Sequence, residues 1–126
     1  MSQKLLFLLA FALLLIQCNQ NTKQKIEGIW QLQKLEINGT VLQGEMLSSW
    51  KWKFNSDGEY LTDVSGLKET GKYCLEGNKL TLNPSADLKR PVKILNIVSI
   101  DSDQLDLATA DGGSNKSSLH FVKLKD

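Results

Sequence analysis

Trp50-Lys51-Trp52-Lys53-Phe54-Asn55-Ser56-Asp57-Gly58 is the stretch that decides the fold. Three aromatic rings alternate with two lysines, the period of two by which a pleated strand buries one face and wets the other. A helix would scatter the same rings around its axis. Gly58 stands at the corner that follows, free to take the left-handed conformation that closes a tight hairpin. Residues 59–64 then return beside the aromatic strand.

The same pattern recurs outward from this hairpin. Residues 70–75 lead through Glu76-Gly77-Asn78-Lys79 into 80–82. Residues 83–91 read as a loop, because Pro84 and Pro91 bracket them and proline cannot donate to a ladder. Residues 92–100, 104–109 and 118–124 complete the chain as strands, separated by the turn 101–103 and the polar loop 110–117. Upstream, residues 28–37 form the first strand and Asn38-Gly39 ends it. Residues 40–49 carry no clear period and suggest a short helical turn or lid. The expectation is an all-β domain of eight antiparallel strands, an up-and-down β-barrel in which closure removes the exposed edges. A β-sandwich uses the same ingredients.

The first 25 residues stand apart from this domain. Lys4 precedes an apolar run from Leu5 to Ile16, 12 residues, against the roughly 20 that a membrane-spanning helix needs. A basic residue before a short apolar core is the layout of a secretory signal, a helical segment removed on export. Residues 1–17 are therefore read as a signal peptide, 18–25 as a cysteine and polar tether, and 26–126 as the barrel domain. Loss of Lys4 from the 15 basic residues leaves 14 against 14 acidic ones, and no basic block points to nucleic acid. The seven tether residues 19–25 reach roughly 25 Å at about 3.5 Å each.

Leu15-Ile16-Gln17-Cys18 resembles the bacterial lipobox, with Gln17 where a small residue is usual. The resemblance implies a diacylglyceryl thioether on Cys18, palmitate-like acyl chains that hold the protein to a membrane, and a place in the bacterial cell envelope, on the periplasmic face of the outer membrane or the cell surface. If Cys18 carries lipid, Cys74 has no intrachain partner; a Cys18–Cys74 disulfide is the alternative.

Gly28-Ile29-Trp30 opens the first strand directly after the tether. With Gly71-Lys72-Tyr73, Gly77-Asn78-Lys79-Leu80 and the closing Phe121-Val122-Lys123, it resembles the small lipocalin-like domains of bacterial lipoproteins over about residues 26–125. In that pattern Gly-x-Trp begins the first strand and the Trp packs across the closed end of the barrel. The resemblance gives that structural role to Gly28 and Trp30, and to Lys123 the place of the basic residue over the ring. It implies binding of a small apolar ligand without catalysis.

Candidate chemistry is sparse. His120 alternates with Leu119 and Phe121 and reads as a surface imidazole. Asp101, Asp103 and Asp106 are turn and strand residues without the spacing of a calcium loop. No phosphate loop or nucleophile elbow is present, and no cofactor or metal is expected. The sequons at Asn38 and Asn115 are idle in a bacterial host. Trp50, Trp52 and Phe54, with Tyr60 and Tyr73 as polar handles, form either the wall of an apolar pocket or a filled core. In the second case the protein acts through its outer surface or loops, as an envelope interaction protein or inhibitor.

Overall fold

Alternation becomes strand wherever the chain carries it. The computed structural model describes residues 25–109 and 116–125; the signal segment 1–17, Cys18, the tether through residue 24 and Asn115 lie outside the described residues. The strands are β1 Gly28–Ile37, β2 Thr40–Gln43, β3 Trp50–Phe54, β4 Glu59–Val64, β5 Leu67–Glu76, β6 Lys79–Pro84, β7 Lys93–Ile100, β8 Gln104–Thr109 and β9 Ser117–Lys123. From β3 to β9 each strand pairs antiparallel with the next. β9 returns to β1, from Trp30 opposite Lys123 to Ile37 opposite Ser117. With β1 also paired to β3, eight strands close into a barrel, and the sandwich arrangement is excluded.

The ninth strand, β2, lies in the segment expected to be a helical turn or lid. β3 covers only Gly28 to Gln31 of β1, so the upper half of that edge needs another partner. The Asn38-Gly39 corner folds β2 back onto Lys34 to Ile37, satisfying backbone groups that would otherwise stand open. A 3₁₀ turn over Glu45–Leu47 follows and buries Leu47. The loop after β6 also starts later than expected. Pro84 ends the strand opposite Gly71, a terminal position where its missing N–H does little harm.

Inward residues fill one continuous core, with Trp30, Leu32, Leu75, Leu80, Leu105, Leu107 and Phe121 at most 1% exposed. Two bulges keep the apolar residues facing it. In β1 the inward set runs Trp30, Leu32, Leu35, a step of three that period two forbids; the register shifts between Leu32 and Lys34. In β7 a second shift between Ile97 and Ser99 expels Val98 to solvent and turns Ile100 back toward the core. Each bulge inserts one residue and resets the alternation.

Gly71 lets β5 and β6 approach across the Tyr60 ring. A Cβ there would lie 2.0 Å from the Asn83 carbonyl oxygen and 2.8 Å from Tyr60 Cε1. The first obstacle is backbone, so the strands themselves must part. Gly71→Ala is expected to cost about 2–3 kcal/mol, the upper range of overpacking, measured by urea denaturation. A loss below about 0.5 kcal/mol, typical of a neutral surface change, would show that the strands are not held this close.

Candidate functional site

The two ends of the barrel are built differently. At the end where β1 begins, Trp30 is fully buried and its indole donates to the Ile26 carbonyl at 2.8 Å. Lys123 Nζ lies 5.4 Å from the Trp30 ring centre, within cation–π range. The Lys123 side chain crosses Gly28, whose φ of 130° suits glycine and whose missing Cβ leaves room for Lys123 Cε. Phe54 packs edge-on against Tyr73, centroids 5.0 Å apart, and the Tyr73 hydroxyl donates to the Asn55 carbonyl at 2.6 Å. This end is plugged.

The opposite end is a mouth. There Leu35, Trp50, Trp52, Leu95 and Leu119 wall an open cavity of about 700 Å³. Thr109, Ser117, Lys79 and Lys93 also line it and are its polar and charged residues among those described. Trp52 also leans on Phe121, centroids 5.0 Å apart, so it belongs to wall and core at once. Its Nε1–H is buried with no hydrogen-bond partner among the described residues. Such an orphan donor costs about 1–3 kcal/mol, and orphans of this kind call for a reason. A second cleft of about 560 Å³ lies over the outward residues Glu59, Leu61, Thr70 and Lys72; it offers no comparable apolar wall.

A buried carboxylate lies in the wall between the two ends. Glu69 in β5 is 1% exposed. It accepts the Tyr60 hydroxyl at 2.9 Å and Arg90 Nη1 at 3.1 Å, with Lys93 Nζ at 3.6 Å. Burial pushes its pKa upward, but the two hydrogen bonds and the two cations outweigh that and hold it below the usual carboxylate range. Arg90 and Lys93 flank Pro91, so Glu69 ties the connection between β6 and β7 to the barrel.

Of the five aromatic residues expected to line a pocket, the structure brings only Trp50 and Trp52 to the cavity. Phe54 and Tyr73 fill the plugged end, and Tyr60 serves Glu69 within the wall. Glu69, Arg90 and Lys93 escaped the sequence reading. The signal was present, since Glu69 shares the inward register of Gly71, Tyr73 and Leu75, but a glutamate in an exposed-looking stretch (Leu67-Lys68-Glu69-Thr70) reads as solvated. Outside the barrel, Asp106 joins His120 Nδ1 and accepts Ser99 Oγ at 2.8 Å. Although burial opposes it, these bonds hold the Asp106 carboxyl below its usual range. The order places the carboxylate between serine and histidine, so the imidazole does not activate the serine. Asp101 accepts the Asp103 and Gln104 amides, each at 2.8 Å, as a turn residue. Cys74, half-buried on β5, is disulfide-bonded; its partner lies outside the described residues.

A family model described as a lipocalin-like domain matches residues 26–107. Among solved structures, the chain is similar to a lipocalin-like protein from Bacteroides uniformis, with 18% identity, a TM-score of 0.62 and coverage of 79% of this chain and 99% of that one. An uncharacterized protein from Bacteroides eggerthii aligns at 17% identity and a TM-score of 0.59 over the same shares of the two chains. A protein from Burkholderia xenovorans aligns at 14% identity and a TM-score of 0.56, covering 86% and 90%. No curated protein matches the chain.

Both tyrosines of the chain are buried. Burial, then the hydrogen bond to Glu69 and its charge, raises the Tyr60 phenol. Burial, then the Glu27 and Asp57 carboxylates, pushes Tyr73 up to about 12. A folded pKa above the unfolded value of about 10 means that the folded state holds these protons more tightly. The resulting stability is complete below pH 10 and is lost as pH rises through the folded values. Phenolate absorbance of the native protein is expected to stay flat through about pH 10 and to rise only toward pH 12 or with alkaline unfolding. Half-ionisation of either phenol near 10 would show a solvated ring instead.

Proposed function

The chain belongs to the lipocalin-like domain family, and from that membership we propose that it is a membrane-tethered, non-enzymatic carrier or sensor whose cavity takes a small apolar molecule. The single observation that carries the reading is the mouth. A barrel of eight strands is just wide enough for side chains to fill, yet here the filling stops below Trp52 and leaves about 700 Å³ open between apolar walls. That volume lies in the range of small-molecule sites. The unpaired Trp52 indole supports the same reading, because a ligand acceptor could satisfy a donor that the described residues leave alone.

A second reading rests on Met46, Leu67 and Val92, which stand 65%, 71% and 52% exposed around the mouth. Such a rim suits docking on another envelope protein, as an interaction partner or inhibitor. Titration with the neutral apolar dye N-phenylnaphthylamine separates the two. Saturable one-to-one binding, weakened about tenfold by Trp50→Ala, a change of about 1.4 kcal/mol, is the outcome expected of a carrier. Absence of saturable binding leaves the surface reading.

The tether belongs to the same proposal and rests on the motif Leu15-Ile16-Gln17-Cys18. Acyl chains on that cysteine would hold the domain at the bacterial cell envelope. Cys18 is the chain's only other cysteine, so the disulfide at Cys74 competes for it: one sulfur cannot be both thioether and disulfide. Intact mass of the protein from the membrane fraction decides between them. A lipoprotein is heavier by its acyl chains, with or without reductant, and Cys18→Ala releases it to the soluble fraction. An unacylated chain whose Cys18 becomes alkylatable only after reduction would overturn the tether.

A further inference from the structure

Among the described residues, the charges on the cavity wall are of one sign. Lys79 and Lys93 both line it, and no carboxylate among the described residues does. Glu69 lies behind the wall, where Arg90 takes the closer contact at 3.1 Å and Lys93 the longer one at 3.6 Å. One buried negative charge thus faces two cations, and Lys93 keeps half of its side chain exposed. Lys79 has no ion-pair partner among the described residues, although Glu76 stands opposite it in the ladder. The Trp52 indole adds a second kind of donor, one without an acceptor among the described residues. The mouth therefore offers apolar surface below and unneutralised donors above.

Building on the reading of this cavity as a ligand site, we infer that its occupant is an anionic amphiphile. The apolar chain lies against Trp50, Trp52, Leu95 and Leu119, and a carboxylate, phosphate or sulfate headgroup meets Lys93 and Lys79. An ammonium beside a low-dielectric wall is less screened than one on the open surface, so the headgroup charge counts for more here. A neutral molecule of the same length gains the apolar contacts alone. A cationic one meets two like charges.

Intrinsic tryptophan fluorescence reads the site, since two of the chain's three tryptophans form its wall. The probes are dodecanoate, dodecyl phosphate, dodecanol and dodecyltrimethylammonium, all below micelle formation. Both anions are expected to bind at least tenfold more tightly than the alcohol, with the cation weakest and the preference shrinking as salt rises. A preference for dodecyl phosphate over dodecanoate would mark the source as a phosphate-headed lipid, and the reverse a free fatty acid. Lys93→Met should abolish most of the preference, and Lys93→Arg should restore it. Because Lys93 also approaches Glu69, Lys79→Met gives an independent variant away from that ion pair, expected to reduce the preference severalfold. Equal binding of anion and alcohol by the wild-type protein, or a preference that survives both Met variants, overturns the headgroup assignment while leaving an apolar carrier. Failure of every probe to bind overturns the ligand cavity itself.

Discussion

Closure of the sheet between β1 and β9 is the constraint on which the rest depends. Seven paired positions from Trp30–Lys123 to Ile37–Ser117 join the beginning of the domain to its end. Without them both strands would expose an edge, and the inward residues of β1, β8 and β9 would lose their common interior. Loop closure over this span is entropically costly, and the Leu32, Leu105 and Phe121 contacts that offset the cost exist only once the ring is shut. The Lys123–Trp30 contact lies at that seam, so the basic residue at the last strand's end secures the first strand's start.

Within that ring the buried Glu69 links structure to site. A carboxylate so deeply buried persists because Tyr60, Arg90 and Lys93 together satisfy it; a lone buried charge would neutralise or be expelled. The same ion cluster holds the β6–β7 connection in place and sets Lys93 at the cavity edge.

Much of this was legible in the residues themselves. Trp50, Trp52 and Phe54 alternate without interruption, and their strand falls where the alternation does. The hairpins at Gly58 and Gly77 are equally plain, because turn chemistry is local. β2 was not legible: Thr40–Gln43 is exposed throughout and forms only because β3 leaves half of an edge vacant. The bulges were hidden for a related reason, since Leu32 to Leu35 breaks period two and only the partner strand shows where the extra residue goes. The aromatic stripe shared one face as expected, yet face does not give depth. Trp50 and Trp52 reach the mouth, while Phe54 two residues on lies in the plug.

The position of β1 sets a polarity. The chain enters the barrel wall at Gly28, on the plugged end, whereas the opening is framed by Ile37, Trp50 and Ser117 at the far end of the same strands. Under the proposed tethering, a leash attached upstream of Gly28 would pull on the bottom of the cup, and its rim would look away from the surface that holds the leash. A short leash would present the opening to the facing side of a compartment, where cargo arrives through water or from an opposing bilayer. Were the proposed tether to hold it, only by lying on its side, with the leash drawn along the outer wall, would the cup open toward the anchoring surface.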